Sequence, residues 1–436
     1  MATPAPQIAA DCRERLDELK LDRLRALVRE ILPHNRFYAA KLGGLPPPGG
    51  LAEVADWPLT CKEELVAAAA ATGLPGNLTW PPERYVRYHR TSGTHGRPLP
   101  VMDTAADWAW WMECWGAILD RGAVGAGDRV LVASSFGPYV GFWSGFEAAV
   151  CRGALAIPSG GMSTLARLDL LRTTRATVLV ATPSYALHMA EAAAGAKIDL
   201  AAFAVRLVIV AGEPGGSIPA VRDRIQAAWG AAVLDHAGAS EVGPWGVGVP
   251  GGAGLHVIEP WFHPEFLPVD ARGAGHEEGP LAELVLTTLG RAGAPAIRYR
   301  TGDLVRPRWP GPADVAAGAC PWVWLEGGIL GRADDMIVVR GVNVFPAAVD
   351  RIVRSFPEIV EHRLTVATRE SLDELGLEIE DRLADPQRVA DELRLRLGLR
   401  VDVVAVPVGS LPRSEGKARR FVDRRRRGGP EREGSS

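Results

Sequence analysis

Apolar and charged positions alternate at helical spacing over residues 11–32, which predicts an amphipathic helix closed by Pro33. A Pro/Gly stretch at 43–50 reads as a loop. Residues 85–89 alternate as a strand and run into a Gly/Ser/Thr loop at 91–96. From there short apolar runs and helix-length segments interleave. Strands are predicted at 129–133, 154–157, 177–181 and 207–211, and helices at 141–151, 165–173 and 185–194. This order predicts a parallel or mixed α/β sheet, with ligands at the carboxyl ends of its strands. Trp108, Trp110, Trp111 and Trp115 share one predicted helix, and Trp108, Trp111 and Trp115 lie on one face of it, the pattern of a core stripe.

After residue 280 the texture changes to short strands, at 282–287 and 296–299. It changes again after Gly331-Arg332, to a strand at 336–340, a helix at 346–356, a strand at 363–368, a helix at 386–397 and a strand at 401–407. The expected organisation is a large N-terminal multi-sheet α/β domain over 1–332, a small α+β domain over 333–423 and a disordered basic and polar tail over 424–436.

Length agrees with this division, since 436 residues exceed what one core usually supports. No apolar run reaches the ~18 residues of a membrane helix, and the N-terminus lacks the pattern of a signal peptide, so no membrane partner and a cytoplasmic setting are expected. Cys12, Cys61, Cys114, Cys151 and Cys320 form no CxxC pair, which argues against a disulfide framework. A formal net charge of -3 offers no general attraction for nucleic acid. Arginine supplies nearly all the positive charge. Each of the five lysines, Lys20, Lys41, Lys62, Lys197 and Lys417, therefore merits inspection as a compact cation that a guanidinium does not replace.

In Arg90-Thr91-Ser92-Gly93-Thr94-His95-Gly96-Arg97-Pro98, glycines allow successive N–H groups to converge and hydroxyls add donors, an arrangement suited to a polyphosphate. A plain surface loop is the competing reading. No GxxxxGK[ST] is present, and the GxGxxG match at 246–251 fails because Pro250 interrupts it. Downstream follow Gly212-Glu213-Pro214, Asp235-His236-Ala237-Gly238-Ala239-Ser240-Glu241 and Tyr299-Arg300-Thr301-Gly302-Asp303-Leu304. Then come Gly331-Arg332-Ala333-Asp334-Asp335-Met336, Gly341-Val342-Asn343-Val344-Phe345-Pro346 and Pro412-Arg413-Ser414-Glu415-Gly416-Lys417. In this order the set resembles the adenylate-forming superfamily of acyl-CoA synthetases, peptide-synthetase adenylation domains and luciferases, and most closely its phenylacetate-CoA ligase branch.

That resemblance implies an AMP-forming acid–thiol ligase that uses ATP and Mg²⁺ to make an acyl adenylate and passes it to CoA. It implies that Thr91, Ser92, Gly93, Thr94 and Gly96 hold phosphates, that Glu241 coordinates Mg²⁺ and that Ser240 bonds a phosphate oxygen. Gly212, Glu213, Pro214, Asp235 and His236 are then adenine-lining, Asp303 accepts from the ribose hydroxyls, and Arg332 contacts ribose or phosphate. Asp334 resembles the hinge of a mobile C-terminal domain, and Lys417 the catalytic cation between carboxylate and α-phosphate. Tyr139, Phe142, Trp143, Ala237, Gly238 and Ala239 fall where the acid is bound, although an ordinary core role for the three aromatics weighs equally.

The sequence also departs from the family. Ala237 stands where an aromatic residue usually stacks on adenine, with His236 the nearest substitute, and His95 replaces a usual threonine. Of a structural zinc site found in this branch, His256 and Cys320 remain, too few for a tetrahedral centre. These differences keep open a carrier-protein or amine acceptor, or a nitrite-activating diazotase. The oligomeric state is also open, a homodimer among the options.

Overall fold

The computed structural model describes residues 5–70, 72–91, 98–269, 280–335, 337–339, 342–369, 372–412 and 420–425. The chain parts into two compact units between Leu330 and Gly331, so Arg332 falls in the second rather than closing the first.

In the first unit the sheet order is Pro307–Arg308, Trp324–Glu326, Gly254–Val257, Gly243–Val247, Ala232–Ala239, Leu207–Val210, Val178–Ala181, Arg129–Val132 and Leu155–Pro158. The last five are parallel neighbours, and the antiparallel strands continue from the far side of Ala232–Ala239. The apolar runs of the central strands Arg129–Val132, Val178–Ala181 and Leu207–Val210 are doubly buried, as central parallel strands require, while the edge strand Leu155–Pro158 is largely exposed. Val130, Val132, Val178, Val180, Leu207 and Ile209 enter one core, while the alternate residues Leu131, Leu179, Ala181, Val208 and Val210 enter another on the opposite face. Helices Val140–Cys151, Thr164–Thr174, Pro183–Gly195 and Pro219–Trp229 connect the parallel strands.

Helix Ala105–Arg121 carries the tryptophan stripe. Its N-terminus is closed by a capping box between Thr104 and Asp107, and all four tryptophans are buried. The N-terminal helix starts earlier than its periodicity suggested, at Ala5, and ends at Ile31. It is tied to the unit by the fully buried Lys20, whose ammonium lies 2.6 Å from Glu259, itself also bound by Arg13. Strands Phe262–Pro268, Ala282–Thr288 and Tyr299–Val305 run antiparallel in another sheet. The strand predicted at 296–299 begins only at Tyr299, because Arg298 takes a left-handed φ of 47° and the amide of Ala296 is used by Thr288 Oγ1.

The second unit has the sheet order Asp402–Ala405, Leu372–Asp381, Ile359–Arg369 and Phe421–Asp423, with helices Pro346–Arg354 and Pro386–Leu397 over its core. Among the described residues no helix is long and apolar enough to cross a membrane.

Candidate active site

The carboxyl ends of the parallel strands gather several of the predicted site residues. At the root of the Ser/Thr/Gly loop, Thr91 donates its N–H to Leu99 O at 3.0 Å and its hydroxyl accepts the N–H of Leu99 at 3.0 Å. Thr91 thus closes the neck of the loop with both groups. Ser92, Gly93, Thr94, His95 and Gly96 lie outside the described residues.

After strand Leu207–Val210 the chain turns at Gly212, whose φ of +94° favours glycine. Next to it Glu213 turns to the neighbouring helix, accepting the Ser184 N–H at 2.7 Å near the N-terminus of Pro183–Gly195. Gly216 lets this turn close on the next strand, because a side chain there would meet the Asp235 carboxyl at 2.5 Å. Asp235 is buried. The Ser217 hydroxyl donates to one of its oxygens and the His236 N–H to the other at 3.1 Å, and burial pushes the carboxyl up to about 6.

His236 is not available as a flat adenine partner in place of Ala237. Its ring centroid is 4.6 Å from that of Trp115, its Nδ1 is 2.8 Å from Gly246 O, and burial lowers its pKa to about 4. Strand alternation sends it and Ala237 to opposite faces. Ala237 faces Gly246 across the antiparallel pair, where a side chain would come within 3.0 Å of the Ala237 methyl.

The Asp235 carboxyl carries a stability consequence. A raised folded pKa means that the folded state keeps a proton which the unfolded chain has lost, so this group's contribution falls as pH rises from about 4 to about 6 and stays low above. His89, His236 and His263, each held near 4 mainly by burial, act with the opposite sign and cost stability as pH falls below about 6.5. Asp235→Asn keeps one acceptor, for the His236 N–H, turns the other position into an amide donor facing the Ser217 hydroxyl oxygen, and removes the buried charge. Its stability relative to the parent, from urea titrations between pH 4 and 8, is expected to rise by up to about 3 kcal/mol through that window. A difference independent of pH contradicts the assignment.

Ser240 and Glu241 sit on the turn after strand Ala232–Ala239, closed by the Val242 N–H to Ala239 O at 3.1 Å. Glu241 is buried, and its carboxylate lies 3.0 Å from the ammonium of Lys62, the first residue of helix Lys62–Ala70. The backbone brings Lys62 there: Thr60 exchanges hydrogen bonds of 2.9 Å with Arg298 O and the Arg300 N–H. The lysine is thereby laid beside the strand that carries Asp303. Asp303 is buried, follows Gly302 at φ +74°, and donates its N–H to Thr301 Oγ1 at 3.0 Å. Below the Glu241 turn, the guanidinium of Arg291 donates to Glu241 O at 2.9 Å. Lys62 was marked in the sequence only as one of five lysines, with no role assigned, and Arg291 was not marked at all. Lysine scarcity was the one available signal for Lys62, and nothing in the sequence marks Arg291.

On helix Val140–Cys151, Trp143 packs edge-on against Phe136 at 4.8 Å and bonds Gly137 O through its indole N–H at 2.9 Å, while Phe146 meets Phe136 at 5.4 Å. Phe136, Phe142, Trp143, Phe146 and Ala239 are all partly buried against the same core, and Phe136, Trp143 and Phe146 form an aromatic cluster there. Tyr139 stands half-exposed at the start of the helix.

In the second unit, Arg332 and Asp334, expected on the nucleotide and at the hinge, form a two-point pair at 2.9 Å. Both side chains are solvent-accessible, so the pair contributes little to stability. Lys417 lies outside the described residues, but the chain on either side of it is anchored. The Leu411 N–H donates to the buried Glu380 at 2.7 Å, and Arg420 grips Glu361 with two bonds of 2.5 and 3.0 Å. Residues 424 and 425, assigned from the sequence to a disordered tail, are held in place. The Arg424 N–H donates to Val366 O at 2.8 Å and Arg425 pairs with Asp373 and Asp423, while residues 426–436 lie outside the description.

Among the described residues no group of three or more His, Cys, Asp or Glu is placed to hold a metal ion. His256 instead uses Nδ1 on Trp322 O at 3.1 Å. A single carboxylate such as Glu241 nevertheless suits Mg²⁺ that arrives on phosphates, since that ion keeps its waters and takes one or two protein carboxylates.

Residues 62–261 match the AMP-binding enzyme family, and residues 341–425 match the AMP-binding enzyme C-terminal domain. The phenylacetate-coenzyme A ligase of Escherichia coli is 31% identical over 94% of this chain and 95% of its own length. The enzyme of that name from Thermus thermophilus is 30% identical over 97% and 99%. A crystal structure of 2-hydroxyisobutyryl-CoA ligase with its acyl-AMP superposes with a TM-score of 0.83 at 27% identity, covering 93% of this chain and 89% of that one. The chain belongs to the adenylate-forming, AMP-binding enzyme family. Within it, the near-full-length relatives place the protein in the phenylacetate-CoA ligase-like branch of AMP-forming acid–CoA ligases.

Proposed function

We propose that the protein activates an aromatic or small organic acid as its acyl adenylate and transfers it to CoA, in the manner of the phenylacetate-CoA ligases it resembles. The observation that carries this reading is the aromatic cluster of Phe136, Trp143 and Phe146, packed on the same core as Ala239. Flat apolar surface suits an aryl ring.

The roles follow from charge. An acid carboxylate approaches the α-phosphate although both are anionic, so cations and N–H donors must offset the repulsion where charge develops. The Ser92–Gly96 loop and Ser240 donate to phosphate oxygens, Asp303 accepts from the ribose hydroxyls, and Gly212–Pro214 with Asp235 border the adenine. Glu241 would hold Mg²⁺, which supplies charge neutralisation on the phosphates when bound. Lys62, already within 3.0 Å of the Glu241 carboxylate, adds a second cation on that side. Lys417 would stabilise the pentacoordinate transition state and then withdraw with its domain about Asp334, clearing a path for the thiol. AMP is the better leaving group that makes this division worthwhile. The cytoplasm, where ATP and CoA are both available, is the proposed compartment.

Pyrophosphate release across a panel of carboxylic acids, with and without CoA and with hydroxylamine as a trap, tests the reading. Aryl acids such as phenylacetate are expected to give hydroxamates without CoA and thioesters with it. Hydroxamate without any CoA-dependent product would instead favour a carrier protein or amine as acceptor. AMP release driven by nitrite and by no carboxylic acid would make the protein a diazotase.

A further inference from the structure

The buried side chains below the Glu241 turn form an arrangement that neither the motifs nor the proposed roles use. Arg291 is fully buried, and its Nη1 donates to the carbonyls of Glu241 at 2.9 Å and Ser240 at 3.4 Å. The other edge of the guanidinium meets Asp103, with Nε and Nη2 at 2.8 and 2.7 Å from Oδ1. Asp103 is also fully buried and accepts the indole N–H of Trp111 at 3.1 Å, while the Trp111 ring lies 5.5 Å from the guanidinium carbon. Asp103 belongs to strand Pro100–Thr104, which follows the Ser/Thr/Gly segment in the chain. One guanidinium therefore joins that strand to the turn bearing Ser240 and Glu241.

We infer that Arg291, balanced by Asp103, is a positioning residue for the metal-binding carboxylate, fixing the Ser240–Glu241 turn so that Glu241 meets the cation carried by ATP. This inference rests on the proposed role of Glu241 in binding Mg²⁺. Fold stability alone does not account for the pair. Well-packed apolar residues of similar volume often stabilise as well as a buried ion pair, and Asp103 Oδ2 is left buried without a hydrogen-bond partner. What apolar residues could not supply is the two-pronged hold on the turn's carbonyls.

The balance of charge matters equally. An unpaired buried guanidinium beneath Glu241 would repel a divalent cation. Neutralised by Asp103, it orients the turn and leaves the negative charge of Glu241 to the metal and to Lys62. Glu241 is then gripped at both ends, through its carbonyl by Arg291 and through its carboxylate by Lys62.

Calorimetric titration of the full-length protein with ATP over a range of Mg²⁺ concentrations, without acid so that no chemistry occurs, tests this. Arg291→Lys keeps a cation for Asp103 but cannot span the carboxylate and both carbonyls. The Mg²⁺ concentration that half-maximally enhances ATP affinity is expected to rise about tenfold, the value of one well-made hydrogen bond to a charged group. The metal-free ATP affinity should fall by much less, since only the Ser240 contact is then at stake. Asp103→Leu combined with Arg291→Met removes both charges and should show the same displacement at near-parental thermal stability; if that double variant does not fold, Arg291→Lys decides. Glu241→Gln separates the two ideas. An unmoved Mg²⁺ curve for Glu241→Gln overturns the metal assignment itself. A displaced curve for Glu241→Gln alongside a parental curve for Arg291→Lys overturns only the positioning role, as does a loss in Arg291→Lys that is equal with and without Mg²⁺.

Discussion

Lys417→Ala is expected to lower ATP–pyrophosphate exchange by about a hundredfold or more while ATP binding changes little, because the ammonium is assigned to the charge that develops in the transition state. The same variant, given chemically prepared acyl adenylate and CoA, should form thioester at close to the parental rate, since the lysine has no task after AMP is attached. The split between the half-reactions is the informative readout. A misfolded second unit would lose both, whereas a solvated lysine of no catalytic consequence would lose neither. The anchoring of Leu411 on Glu380 and of Arg420 on Glu361 gives reason to expect that the substitution leaves that unit's fold intact.

The second large effect is expected at the Glu241–Lys62 pair. Glu241→Gln should reduce adenylate formation by about a hundredfold or more, with only partial recovery at high Mg²⁺, because it removes the charge assigned to the metal and leaves Lys62 without its counter-ion. Lys62→Met should lower the same rate about tenfold with a modest fall in melting temperature. The Lys62 side chain is 40% exposed but that of Glu241 only 7%, so the variant loses a half-buried pair and leaves a buried carboxylate unpaired, a cost of about 1–3 kcal/mol. A large thermal destabilisation with an unchanged rate would make Lys62 a structural residue.

Four of the five parallel strands were legible almost to the residue, while Ala232–Ala239 was read only as a motif and not as a strand. The apolar runs of those four are short and bounded by glycine or polar turns, so the run predicted at 207–211 is the strand Leu207–Val210. Strand Leu372–Asp381 was not legible, because its acidic residues dilute the pattern. Leu375, Leu377 and Ile379 are buried, and Glu378 is offset by Arg363 on the paired strand, a partner that local sequence does not reveal. The same divide holds at the site. Motifs marked Glu241, Asp303 and Lys417, whereas Lys62 and Arg291 reach the Glu241 turn only through tertiary folding. His236 was misread because its position beside Ala237 suggested substitution, while strand alternation directs its ring to Trp115.

The account as a whole depends on activation through an acyl adenylate, and the fate of carboxylate oxygen tests that most directly. When an acid that supports turnover is labelled with heavy oxygen in its carboxylate and incubated with the protein, ATP, Mg²⁺ and CoA, one labelled oxygen is expected in the phosphate of AMP, with unlabelled pyrophosphate. Formation of ADP with the label in inorganic phosphate would contradict the account.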